Sequence, residues 1–123
     1  MVMINAMTQP RPWPVTILAW VYIATGAIGF VAHGVEFLRH DRFQIDVVEV
    51  ELTEVAAVIA GVFLLRGANW ARWLALGWIL FHVALTAFPV GAPFAVHSAF
   101  AAVIGWILFR RESSGYFRSA QAG

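Results

Sequence analysis

From Trp13 to Leu38 the chain carries one formally charged side chain, Glu36, and this apolar run constrains everything else. A spanning helix needs about 20 predominantly apolar residues, so the run is long enough to cross a bilayer. It exceeds the roughly 7–15 residues of a signal-peptide apolar region, and no small-x-small cleavage pattern follows it. It reads as a retained membrane span. The remaining sequence continues the pattern. Of 123 residues, 61% are hydrophobic and 12% are charged, about half the charged fraction of an ordinary soluble domain. A soluble fold of this length has too little interior to hide that much apolar surface, which makes a bilayer the solvent.

Four segments approach spanning length: residues 13–38, 47–65, 70–88 and 93–109. The second is the weakest, because Glu49, Glu51 and Glu54 occupy its first turns; three spans with an interfacial segment is the alternative. The connections "RGAN" (66–69) and "PVGA" (89–92) are short, and short connections force antiparallel neighbours. The reading is all-α: one domain over residues 1–123, an integral membrane four-helix bundle in up-down-up-down order. Residues 110–123 read as a mobile polar tail. Gly67 is placed to end the second helix, Asn69 to cap the third, and Pro93 to open the fourth.

Arginine placement orients the bundle. Arg11, Arg66, Arg72, Arg110, Arg111 and Arg118 share the side of the termini, against Arg39 and Arg42 on the other. Lysine is absent. Both termini are therefore expected in the cytoplasm, with Trp13, Trp70 and Trp73 as an aromatic belt. Arg66 and Arg72 are expected to bind lipid phosphate or to hold the topology.

Polar side chains within spans are expensive and usually face the bundle interior. Gly26, Gly29, His33, Glu36 and His40 form one helical stripe. Glu51, Glu54, Val58 and Gly61 form a second, Ala75, Trp78, His82 and Thr86 a third, and His97, Ala101 and Gly105 a fourth. His33, Glu54, His82 and His97 each fall roughly 6–10 Å inside the outer end of their span at 1.5 Å per residue. Glu36 and Glu51 lie about a turn further out, and His40 further still. The stripes predict a polar chamber open to the outer face.

Imidazoles with a carboxylate are a good donor set for a borderline transition metal. The predicted metal site is His33, Glu36, Glu54, His82 and His97, with the histidines as ligands. Glu54 would serve as ligand or base, and Glu36 would orient His33. Haem b, held by His33 and His82, is the second cofactor option. A hydrogen-bonded His/Glu network without a cofactor, and a proton or ion relay, are the competing readings. The inner halves of the spans are nearly free of polar residues, which argues against a through-channel. The aromatic content could also shelter a quinone or a lipid tail.

Composition excludes several classes. Cysteine is absent, so disulfides, thiolate metal sites, thiol redox chemistry and thioether-linked haem are ruled out. A net charge of +1 gives no reason to expect nucleic acid. There is no Gly-rich phosphate loop, nucleophile elbow or zincin motif. The expected partners are the bilayer, a second copy of the chain, or a larger membrane complex. The turn "RG-x-x-WAR" between two spans, with His and Glu at the outer ends, resembles small uncharacterised four-span membrane proteins of bacteria. The layout also resembles DoxX-like proteins. The resemblance implies a bacterial plasma membrane and assigns no functional residues.

Overall fold

The computed structural model describes residues 9–39 and 45–122. Expectations placed on His40 and Arg42 lie outside the described residues. Among the described residues five α-helices follow one another: α1 (Trp13–Arg39), α2 (Ile45–Leu65), α3 (Asn69–Leu85), α4 (Ala92–Phe109) and α5 (Arg111–Ala122). There is no strand among the described residues. Two of the helices, α1 and α4, are long and apolar enough to cross a membrane. The acidic first half of α2 and the 17-residue length of α3 set those two apart.

Consecutive long helices run antiparallel, as their contacts show. Gly26 of α1 meets Val58 of α2, and Ala19 meets Gly61. Trp78 of α3 bonds to Thr53 of α2, while Trp70 stacks on Phe63. His82 faces His97 of α4, and Trp73 meets Phe109. The α1–α2 interface is the most extensive. Glycine makes it so: a Cβ on Gly61 would lie 2.5 Å from the Ala19 carbonyl oxygen, and one on Gly26 would lie 2.5 Å from that of Glu54.

The turn into α3 is a Schellman motif. Gly67 has φ +77°, its N–H donates to Leu64 O (3.2 Å), and Ala68 N–H donates to Phe63 O (3.0 Å). Ala68 is the N-cap of α3, so Asn69 is the first helical residue and does not cap it. Asn69 Oδ1 instead accepts from Arg72, one turn along. Helix α3 stops at Leu85, short of the expected Phe88, because Thr86 ends it. Thr86 Oγ1 bonds the His82 and Val83 carbonyls (3.0 Å each), and Pro89 follows.

The core is confined to one end. Its buried members are Val15, Leu18, Ala19 and Tyr22 on α1, Ala57, Ala60 and Leu64 on α2, and Ala71, Ala75 and Ile79 on α3. Ile104 and Leu108 of α4 and Tyr116 and Phe117 of α5 complete it. No residue in 27–39, 46–56 or 80–103 is buried as a whole. The helices therefore enclose a core near the termini and leave the side chains at the other end half-buried or exposed. Large apolar side chains such as Leu38 (81% exposed) and Phe88 (88%) remain uncovered by protein.

Two sequence expectations fail at the tight end, for one reason. The last carbonyls of α2 and α4 have no partners within their own helices, and the polar residues near them are recruited to satisfy them. The tail is helix α5. Ser113 Oγ donates to Ile107 O, Ser114 Oγ to Phe109 O (3.3 Å), and Tyr116 OH to Leu65 O (3.0 Å). Arg11 Nη1 also reaches Leu65 O, at 2.7 Å. Arg72, expected to bind lipid phosphate or to hold the topology, is only 8% exposed. Its Nη1 donates to Leu108 O (3.2 Å) and Ser114 Oγ (3.1 Å), and its guanidinium sits 4.8 Å and 4.9 Å from the Phe109 and Phe117 ring centroids.

Replacing Gly67 by Ala should destabilise the protein by about 1–3 kcal/mol. The residue is left-handed, and a new Cβ would lie 2.5 Å from Ala120 Cβ. Gly77→Ala, where nothing lies within 4 Å, should instead be neutral or stabilise by up to about 1 kcal/mol. Thermal melts of the two variants in detergent check this pair. Arg72→Ala strips hydrogen bonds from buried acceptors, each worth roughly 1–3 kcal/mol when left unmade. Limited proteolysis should then cut at Arg111 and Arg118 well before the rest of the chain, and equal protection in the wild type and variant would refute the role.

Candidate functional site

The predicted residues lie at the open end, where two glycines of α1 let α2 come close. A Cβ on Gly29 would lie 2.5 Å from Glu54 Cδ, so the carboxylate rests against the α1 backbone. One turn further along α1, His33 Nδ1 lies 3.9 Å from Glu54 Oε1. The His33 side chain is 50% exposed and that of Glu54 only 12%. His33 is thus the open member of the pair and Glu54 the covered one. Glu54 Oε2 and Glu51 Oε1 are both buried without a hydrogen-bond partner. Glu51 is one turn from Glu54 on α2, with Oε2 facing Gly34 of α1. His33 of α1, His82 of α3 and Glu51 of α2 are the ionisable neighbours of Glu54.

Trp78 joins α3 to this group. Its Nε1 donates to Thr53 O at 2.8 Å, beside Glu54 in the chain. Its ring packs on Tyr22 (centroids 5.3 Å) and on His82 (4.0 Å). His82 Nδ1 lies 2.8 Å from Trp78 O, and His97 Nδ1 lies 2.7 Å from Pro93 O. A carbonyl only accepts, so Nδ1 carries the hydrogen in both rings, which leaves Nε2 as the basic nitrogen of each neutral imidazole. The two rings stack with centroids 6.2 Å apart and planes 12° from parallel.

The five predicted metal ligands therefore divide. His33 and Glu54 come together, with Glu51 joining them; His82 and His97 form a stacked pair beside them. Glu36 lies exposed near the outer end of α1. Among the described residues, no group of three or more His, Asp or Glu side chains is gathered as a metal site. The reason is geometric. A ring nitrogen binds a metal in the plane of its ring, and two nearly parallel stacked planes do not meet at a common ion. Of the two histidines named for haem, His82 packs its ring on Trp78 and His33 lies against Glu54.

Glu51, Trp78 and Gly29 are the members that sequence reasoning left out of the site. Each had a signal. Glu51 and Glu54 share a face at i, i+3, and Gly29 precedes His33 by one turn on the stripe. Trp78 precedes His82 by one turn on α3.

The two α1 glycines should respond differently to alanine. At Gly26 the added Cβ meets the α2 backbone, at Glu54 O (2.5 Å) and Val58 N (2.9 Å). The helices must separate, at a loss of about 1–3 kcal/mol. At Gly29 it meets the end of the Glu54 side chain, which can swing away for less than about 1 kcal/mol. Melting of both variants, with the Glu54 carboxyl followed by infrared spectroscopy, should show stability lost at Gly26→Ala and the carboxyl band moved at Gly29→Ala.

The chain matches no protein-family model, no curated protein and no solved structure.

Proposed function

We propose that this is a four-span membrane protein whose Glu54–His33 couple binds and releases a proton at the outer face. In this reading α1 to α4 cross the bilayer and α5 lies against the inner end. Helix α3 extends about 26 Å at 1.5 Å per residue, near the roughly 30 Å of a hydrocarbon core. The acids of α2 are accommodated because Glu51 and Glu54 face α1 while Asp46 and Glu49 lie toward the outer mouth. Arg11, Arg66, Arg110, Arg111 and Arg118 near the inner end support cytoplasmic termini.

The observation that carries the proposal is the Glu54 carboxylate, covered by protein, with Oε2 unpartnered and an imidazole 3.9 Å from Oε1. A purely structural network would satisfy those oxygens. A buried carboxylate left this way gains from a proton of its own or from protonation of its neighbour. The groups facing it are His33 from α1, Glu51 from α2 and His82 from α3, with His97 of α4 stacked behind His82. His33 connects Glu54 to the outside.

The inner half of the bundle offers no continuation. Beyond Tyr22, whose hydroxyl is engaged by Ala75 O (2.6 Å), the core is aliphatic and aromatic as far as Arg72. The proton therefore enters and leaves on the same side. Such a site reports external pH to the packing of α1 on α2. That suits a non-enzymatic accessory protein of the membrane better than a conductor.

Infrared titration of the reconstituted protein tests this. The wild type should show a carboxyl band that titrates and disappears in Glu54→Gln, with its midpoint moved in His33→Ala. Identical titrations in wild type and Glu54→Gln would end the proposal. Stoichiometric metal retained by the wild type and lost in Glu54→Gln would replace the proton with a metal ion.

A further inference from the structure

The seam between α1 and α4 is barely closed by protein. Three cavities follow it end to end. The innermost, about 500 Å³, is lined by Arg11, Trp13, Arg110 and Glu112 among others. The middle one, about 340 Å³, shares Trp13, Pro14 and Arg110 with it and adds Ile17, Val21 and Trp106. The outermost, about 370 Å³, continues from Leu18 and Val21 to Thr25, His97 and Phe100. Together they form one groove with a basic mouth and an apolar shaft.

Arg110 stands where mouth and shaft meet. Its Nη2 pairs with Glu112 Oε2 at 2.9 Å, its Cζ lies 4.9 Å from the Trp106 ring centroid, and its Nε is buried without a hydrogen-bond partner. Two guanidinium groups, Arg11 and Arg110, line the mouth against one carboxylate, and Glu112 is 71% exposed. The mouth is therefore net positive. From Arg110 back to His97 the shaft follows roughly 20 Å of helix, more than the roughly 15 Å of one leaflet's hydrocarbon.

We infer that the α1–α4 groove binds one anionic glycerophospholipid of the inner leaflet. Its phosphate meets Arg110 and Arg11, and an acyl chain lies along Ile17, Val21, Trp106 and Phe100. The chemistry at the head is a charge-assisted hydrogen bond from the Arg110 fork to a phosphate oxygen. The apolar shaft selects a lipid over free phosphate. The inference rests on the membrane reading above but not on the Glu54 site.

The test is native mass spectrometry of protein taken from vesicles of equal phosphatidylcholine and phosphatidylglycerol, after flotation. One phosphatidylglycerol should stay bound per chain, and inorganic phosphate should not displace it. Arg110→Gln should weaken retention by about tenfold or more, the loss of a charge-assisted bond. Arg110→Lys keeps the charge without the guanidinium fork and should also weaken it. Arg118→Gln, away from the groove, should leave it unchanged. Equal retention of both lipids, or equal loss in the Arg110 and Arg118 variants, would overturn the inference. A wild type that fails to float with the vesicles would overturn the membrane reading and the inference together.

Discussion

A guanidinium buried without a carboxylate holds the inner end of this protein together. Burying a lone charge is expensive unless every donor is satisfied. Arg72 meets that condition with partial charges. The Leu108 carbonyl belongs to the last turn of α4, where the helix dipole is negative. Asn69 and Ser114 supply two further oxygens, and the faces of Phe109 and Phe117 supply π density. One side chain of α3 thereby ties down the end of α4 and the start of α5. The rest of the core, from Val15 to Phe117, is assembled within reach of this end.

The opposite end is held differently. Among the described residues, its contacts include one N–H···O bond from Trp78, a stack of two imidazoles, the His33–Glu54 pair and the contact of Glu54 with Gly29. Sparse burial and half-exposed polar groups mark the part of a fold that opens most readily. The proposed proton site lies there, and the asymmetry follows from composition. Small residues and aliphatics line the inner faces, whereas His33, Glu51, Glu54, His82 and His97 occupy the outer ones. Those five cannot close a dry core.

Much of this layout was legible in the sequence. Apolar periodicity and turn residues located four of the helices to within a few residues, and Gly67 signalled the turn after α2. Spacing along each helix also placed the four ionisable residues at one level. Spacing fixes depth, however, and says little about rotation. Whether His82 and His97 point at one ion or lie parallel depends on how α3 and α4 pack, which the stripes leave open. Arg72 was misread for a related reason. Arginines beside a span usually mark the membrane surface, and only the tertiary position of the α4 C-terminus makes burial favourable. Helix α5 was hidden by its polar composition, although Ser113, Tyr116, Phe117 and Ala120 already trace one helical face.

On the proposed reading, a set of helices clasped at one end and open at the other would convert local charge into helix movement. Glu54 touches α1 at Gly29, three residues beyond the last buried position of that helix, Gly26. Movement of the carboxylate on protonation therefore pushes on the segment of α1 that is not locked by core packing. Toward the inside the same push meets Gly26 and then Tyr22, whose hydroxyl is fixed to α3 at the Ala75 carbonyl. The displacement is resisted there and is free to spread outward along His33 and beyond. Only the outer segments of α1 and α2 would change their relative position, while the inner end keeps its shape. On the same reading, a partner that reads this change would contact the half that holds Glu54 and His33.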